Sequence, residues 1–289
     1  MTREEFARWM GEKPRLLDGA TGSNLRLRGM PNGICSEQWL CENPSFICQL
    51  QSEYIQAGSE ILLAPTFGAN RVLLSNFGLE SQVDTLCKTL VSICRENAAS
   101  RALIAGDITT TGKPVLPEEY DAYQNLFDVY CEQANALYES GVDLFVVETM
   151  MGMTECMAAA EAIRSICDLP ILCTLSVQAD GKCYFDGNLF EAAEVLTALG
   201  VDAIGINCSV GPDQMENLIR SLHKSCQLPI VAKPNAGMPQ MADDGNAVYS
   251  MGPEEFACSM KKLMDAGATL VGGCCGTTPA HIHALYNIM

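Results

Sequence analysis

The sequence predicts a (β/α)8 barrel with a short helical extension at its N-terminus, forming one domain over residues 1–289. Three observations carry that expectation. Short apolar runs alternate eight times with longer segments of helical periodicity, the pattern of parallel strands buried on both faces. Nearly every run ends on a polar or ligating residue, and in such barrels chemistry sits at the C-terminal ends of strands. The turn after the first run, Asp18-Gly19-Ala20-Thr21-Gly22, lacks the glycine fingerprint of a dinucleotide-binding open sheet. Neither that fingerprint nor a phosphate-binding P-loop occurs elsewhere in the chain.

In chain order, Met1 to Pro14 reads as an extra helix covering the bottom of the barrel. Strands are expected at Arg15–Thr21, Glu60–Thr66, Ala102–Ile108, Leu144–Met150, Pro170–Val177, Ala203–Ser209, Pro229–Asn235 and Leu270–Gly276. Helices are expected at 44–57, 80–99, 119–140, 154–167, 189–199, 212–225, 253–266 and 279–288. Pro212-Asp213 and Pro253-Glu254 put proline and an acid in a first helical turn, where a missing N–H is harmless and negative charge is favoured. Gly141, Gly200 and Gly267 stand where helices should end. The strand ends then carry Asp18, Thr66, Asp107, Glu148, Ser176, Cys208, Asn235 and Cys274-Cys275. Thr, Ser, Asp and Asn also serve as helix caps, but capping does not explain Glu148 after Leu144-Phe145-Val146-Val147. A carboxylate at the mouth of an apolar strand calls for a cationic partner or a ligand.

Charge and cysteine usage narrow the function classes. The formal net charge is −17 and the pI near 4.5, which argues against a nucleic-acid or anionic-membrane surface. No apolar run approaches the ~20 residues of a transmembrane helix. The polar N-terminus does not read as a signal peptide. An odd number of cysteines, 15, without an export signal predicts a reducing cytoplasm.

The run Gly272-Gly273-Cys274-Cys275-Gly276-Thr277-Thr278-Pro279 is the most informative stretch. With Cys208, which follows Ala203-Ile204-Gly205-Ile206-Asn207, it offers three thiolates at two strand ends. Three thiolates suit a zinc site with one open position, the arrangement of catalytic rather than structural zinc. Adjacent cysteines reach one metal only if the chain bends, and flanking glycines permit that. Two other readings stand beside it: small buried hydrophobes, and a strained vicinal disulfide. His281 and His283, at the start of the last helix, read as surface residues.

These motifs resemble the homocysteine S-methyltransferase family over roughly residues 14–288, and within it the homocysteine-binding barrel of the cobalamin-dependent methionine synthase branch. The resemblance rests on Leu17 to Gly22, Thr66-Phe67-Gly68-Ala69-Asn70-Arg71, Ala105-Gly106-Asp107-Ile108, Val147-Glu148-Thr149, Gly205-Ile206-Asn207-Cys208 with Gly211-Pro212, Pro234-Asn235-Ala236-Gly237, and Gly272 to Thr278. It implies a zinc-dependent methyltransferase that converts homocysteine to methionine. Cys208, Cys274 and Cys275 would be the metal ligands and catalytic residues, with the homocysteine sulfur as fourth ligand. A free thiol is mostly protonated at neutral pH, whereas metal coordination deprotonates it and leaves the nucleophilic thiolate. The resemblance places Asp18 and Glu148 at the substrate ammonium. It also places the backbone around Gly19, Ala20 and Thr21 at the substrate carboxylate, and Asn207 and Asn235 among the substrate-binding residues. Asn235 could lend an amide oxygen to the metal in the absence of substrate, or could simply be a turn residue in Pro-Asn-Ala-Gly.

Two features depart from the family pattern. Ile108-Thr109-Thr110-Thr111-Gly112 replaces its usual glycine-proline segment, which leaves the role of Asp107 open. No Asp-x-His-x-x-Gly motif for a cobalamin lower ligand occurs, so methylcobalamin is expected on a separate corrinoid partner protein. Alternatives are a methyltransferase using S-methylmethionine or S-adenosylmethionine directly, a different thiol acceptor, and a zinc-binding homocysteine sensor without turnover.

Overall fold

The computed structural model describes residues 1–115, 120–241 and 247–289. Eight parallel strands form one sheet: β1 (Arg15–Leu16), β2 (Ile61–Leu63), β3 (Leu103–Ile108), β4 (Leu144–Met150), β5 (Ile171–Leu175), β6 (Ala203–Asn207), β7 (Ile230–Lys233) and β8 (Ala268–Val271). The spatial order runs β1-β8-β7-β6-β5-β4-β3-β2. A parallel bridge between Leu17 and Ile61 brings the first and last members together, and the Glu60 N–H donates to the Leu16 carbonyl at 2.8 Å. The sheet is therefore a (β/α)8 barrel, as expected.

Strand alternation explains why the runs are apolar throughout. Residues of one parity, including Leu63, Ala105, Val146, Leu172, Val231 and Leu270, pack together inside the barrel. Residues of the other parity, such as Ile104, Phe145, Ile171, Ile204 and Ala232, join the larger cluster under the surrounding helices. The helices are α1 (Arg3–Met10), α2 (Gly22–Leu27), α3 (Ser36–Glu42), α4 (Pro44–Ala57), α5 (Arg71–Leu74), α6 (Val83–Ala98), α7 (Tyr120–Glu139), α8 (Met153–Ile166), α9 (Leu189–Ala198), α10 (Glu216–Ser225), α11 (Pro253–Asp265) and α12 (Pro279–Tyr286). Helix α1 starts on a capping box, with Thr2 accepting from the Glu5 N–H and Glu5 from the Thr2 N–H. It inserts Phe6 and Met10 into the inner cluster, so the N-terminal extension plugs the bottom of the barrel as the sequence predicts.

Several boundaries differ from expectation. The first strand stops at Leu16, and the last runs Ala268–Val271 instead of Leu270–Gly276. Beyond those points the chain bends, although Gly272 and Gly273 still donate to the carbonyls of Ala232 and Asp18 at 3.1 and 3.0 Å. Helices α2, α3 and α5 span only 6, 7 and 4 residues, too short for a periodic signal. Residue 119, the start of one expected helix, lies outside the described residues. His281 is buried rather than on the surface: it closes the α12 capping box with Thr278, and its Nε2 lies 2.9 Å from the Met251 carbonyl. His283 is exposed. Among the described residues, no helix is long and apolar enough to cross a membrane.

Candidate active site

Two sharp turns at neighbouring strand ends gather three sulfurs. After β6, Cys208 adopts φ +48°, a left-handed conformation that is uncommon outside glycine and concentrates at functional sites. After β8, the chain folds into a turn held by the Thr277 N–H and hydroxyl, both donating to the Cys274 carbonyl, at 3.1 and 2.7 Å. Gly273 must lack a side chain there, because a Cβ would lie 2.3 Å from the Thr277 Oγ1. The two cysteines thereby share one side of the bend. The Sγ atoms of Cys208, Cys274 and Cys275 all lie within 4.8 Å of one another, and those of Cys208 and Cys275 are 3.6 Å apart. Two sulfurs on one tetrahedral zinc lie roughly 3.8 Å apart, given Zn–S bonds of about 2.3 Å. The spacing therefore fits three ligands of a tetrahedral ion, and no disulfide joins any of the 15 cysteines.

Proton sharing within the cluster points the same way. Hydrogen bonds from Cys208 and Cys274 hold Cys275 down to about 3, overcoming burial. Cys208 is lowered by Cys274 but raised further by Cys275 and by burial, to about 12; its bonds to the other two sulfurs, together with burial, push Cys274 up as well. Ionising all three at neutral pH requires a cation among them.

Asn207 braces this corner. Its Oδ1 accepts from the Thr149 N–H at 2.8 Å and the Thr174 hydroxyl at 3.0 Å. Its Nδ2 donates to the Thr149 Oγ1 at 2.7 Å and points at the Cys274 Sγ, 4.0 Å away. Thr149 itself sits at φ +60°, so one buried amide ties together two strained strand ends. The side chain of Asn207 is thus committed to protein groups. Asn235 differs: its Oδ1 is buried without a hydrogen-bond partner.

A charged layer lies directly above the apolar floor. Alternation along β3, β4 and β7 puts Asp107, Glu148 and Lys233 two residues beyond the inward-facing Ala105, Val146 and Val231. Lys233, only 2% exposed, reaches from β7 to Glu148 on β4 and makes a 2.5 Å ion pair with Oε2. Burial pulls this lysine down, but Glu148, Asp18, Cys274 and Asp107 outweigh it and hold its pKa above the ordinary range. Asp18 follows β1, and its Oδ2 accepts the Leu63 N–H at 2.9 Å while Oδ1 has no partner. Burial, only partly offset by Lys233, raises its carboxyl to about 7. Asp107 is likewise buried with Oδ1 unpaired and is raised well above the carboxylate range, first by burial and then by Glu148.

Beyond Asp18, the Ala20 N–H is taken by the Thr277 Oγ1 at 3.1 Å. A Cβ on Gly19 would meet the Thr277 and Tyr54 hydroxyl oxygens at 2.8 Å each, so glycine is required for this close approach. Sequence reasoning missed Lys233, although a lysine ending the otherwise apolar Ile230-Val231-Ala232, in phase with Val231, is a readable signal. It also missed Tyr249, whose ring packs on Gly276 next to Cys275; no local pattern marks that contact.

Residues 15–289 match the family model described as homocysteine S-methyltransferase. The chain belongs to the homocysteine S-methyltransferase family. It is 29% identical over 286 residues to a methionine synthase of Mycobacterium tuberculosis, and 28% identical over 293 residues to that of Mycobacterium leprae. Each match covers 92% of this chain but only 24% and 23% of the relative, so the chain spans about a quarter of their length. Among solved structures, the metallated form of the homocysteine methyltransferase MmuM from Escherichia coli superposes with a TM-score of 0.80 at 24% identity, covering 98% of this chain and 99% of MmuM. Its oxidized form gives 0.81 at 24% identity, with 96% of each chain covered. These superpositions establish the same barrel in this family member.

Proposed function

We propose that the protein transfers a methyl group to the sulfur of L-homocysteine, forming methionine, at a zinc site held by Cys208, Cys274 and Cys275, and that the methyl group arrives on methylcobalamin carried by a corrinoid protein. The observation that carries the reading is the three-sulfur cluster set beside a buried mouth lined with unpaired carboxylate oxygens. Zinc bound to the cluster supplies the positive charge that makes a thiol a thiolate at neutral pH. The protein's own groups do the rest. The strained turns at Cys208 and Cys274-Cys275 aim the sulfurs at one point, and Asn207 keeps those turns in register. Asp18 and Glu148 accept the substrate ammonium. With the Ala20 N–H already engaged, Gly19 and Thr21 are the amides left for the substrate carboxylate. Asn235 offers its unpaired amide oxygen to the same mouth. Ammonium, carboxylate and sulfur are then held at three fixed places, which orients the sulfur for in-line attack on a methyl group brought to the rim.

The methionine synthase relatives and the motif Thr66 to Arg71 favour a cobalamin donor over a sulfonium donor. The unbridged cysteines suit a reducing, cytoplasmic setting. The test is methionine formation by zinc-loaded protein with homocysteine and, in parallel, a methylated corrinoid protein, free methylcobalamin, S-methylmethionine and S-adenosylmethionine. The corrinoid protein should support the fastest turnover. Faster turnover with S-methylmethionine would replace the donor, and no turnover with homocysteine under any donor would reject the acceptor.

A further inference from the structure

Building on the reading of the site as one for an amino-acid thiol, we propose that Asp107 is a substrate-binding residue that accepts the ammonium of that thiol together with Asp18 and Glu148. Lys233 is a positioning residue that holds Glu148 in place from across the mouth.

The strand order places the three acids at the ends of β1, β3 and β4, with β2 between the first two. Asp18 is fastened to the Leu63 N–H on β2, Leu63 is in register with Ala105 on β3, and Asp107 is in register with Val146, two residues before Glu148 on β4. The cysteines lie at the ends of β6 and β8, with Lys233 on β7 between them, and β8 borders β1, so the Gly273 N–H donates to the Asp18 carbonyl at 3.0 Å.

The three acids are incompletely paired. Three buried carboxyl groups face one buried lysine, whose 2.5 Å contact goes to Glu148. Asp18 and Asp107 each keep one oxygen, Oδ1, buried and without a hydrogen bond. A buried polar atom left unpaired costs about 1–3 kcal/mol, and folded proteins retain few of them. Two such oxygens at one end of the barrel, on strands separated by β2, call for a donor not found among the described residues. A primary ammonium has three N–H donors and one positive charge. The Oδ1 atoms of Asp18 and Asp107, with Glu148, make three acceptors for it. Lys233 cannot fill this role, because its nitrogen is committed to Glu148 and its stem spans the barrel. By neutralising Glu148, it leaves the two aspartates as the groups that require an incoming cation.

The assignment predicts selectivity for the amino group. The experiment measures binding to zinc-loaded protein by calorimetry, using L-homocysteine and 4-mercaptobutyrate, the same thiol acid without the ammonium. Wild type should prefer L-homocysteine. Asp107→Asn should weaken L-homocysteine binding about tenfold to a hundredfold, the range of one charged hydrogen bond, and leave 4-mercaptobutyrate and zinc content unchanged. Asp107→Ser, a smaller replacement, should do the same if the asparagine packs poorly. Lys233→Met should weaken L-homocysteine in the same selective way. Equal weakening of both thiols in both Asp107 variants would make the role merely structural and overturn the proposal, as would an unchanged preference for L-homocysteine. If wild type binds neither thiol, the amino-acid thiol reading itself fails. If it prefers L-homocysteine and Asp107→Asn keeps that preference, only the Asp107 assignment fails.

Discussion

The two ends of the barrel handle their carboxylates in opposite ways, half-buried at the bottom and buried at the mouth. At the bottom, Asp143 accepts the Ile104 N–H and pairs with Arg95, both at 2.7 Å. Asp202 accepts the Ile171 N–H at 2.9 Å and pairs with Arg164 and Arg3 at 2.7 and 2.8 Å. Glu60 pairs with Arg15 at 3.0 Å, and that guanidinium stacks on Trp9, 4.1 Å from the ring centroid. At the mouth, Asp18 accepts a strand N–H in the same manner, but no arginine completes it. The same local motif, an acid accepting a strand amide, is thus completed by arginine at one end and left without one at the other. Positive φ outside glycine occurs at both ends, at Thr149 and Cys208 at the mouth and at Ala99 and Ser100 in the turn before β3. A fold tolerates incompletely paired acids at one rim when those at the opposite end are paired.

The largest test of this contrast is Cys208→Ala. Metal analysis should fall from about one zinc per chain to near zero, and methionine formation should drop by more than about a thousandfold, equivalent to about 4 kcal/mol. Full activity would remove Cys208 from the ligand set.

Asp18→Asn should act on stability and binding with opposite signs. Burial raises the Asp18 carboxyl from 3.8 to about 7, so the folded state holds this proton more tightly than the unfolded chain. Its contribution is therefore fully present below about pH 4 and is lost as pH rises through 7. At pH 8 the ionised, unpaired group destabilises the ligand-free protein by up to about 4 kcal/mol. Denaturant melts of Asp18→Asn should show that it is more stable than wild type at pH 8 and nearly equal at pH 4, while homocysteine binding weakens. Lower stability at pH 8 would mean that Asp18 is a structural acid like those at the bottom.

Asp202→Ala should do the reverse, lowering unfolding free energy by about 3 kcal/mol by stranding two arginines and a strand N–H. Turnover at low temperature should stay within twofold of wild type. The smallest expected effect is Thr2→Ala, which removes the α1 cap and should reduce stability by about 1 kcal/mol without altering kcat/KM. A change in substrate affinity with either variant would show that the two ends are coupled.

Much of this division was legible without coordinates. The eight alternations, the glycines closing helices and the polar strand ends depend on periods of two and 3.6 residues, which are local properties. The 44–57 helix matches its expected bounds, and Cys208, Cys274 and Cys275 do converge. The short helices α2, α3 and α5 were not legible, because fewer than two turns cannot establish a period. Nor was the burial of His281, which is set by packing against Phe256, 5.5 Å between centroids, and by the Met251 carbonyl.

By itself the sequence determined which faces are apolar, where chemistry-bearing residues stand relative to strand ends, and that three thiols could meet. The tertiary structure alone decided which charge meets which. Lys233 and Glu148 are 85 residues apart and join only because ring closure sets β7 across the mouth from β4. Asp18 and Asp202 look alike as acids beside strands, yet one keeps an oxygen without a partner among the described residues and the other meets two arginines. The reason is range: backbone periodicity acts over a few residues of chain, whereas electrostatic pairing and desolvation act through space, between groups whose distance no local pattern records.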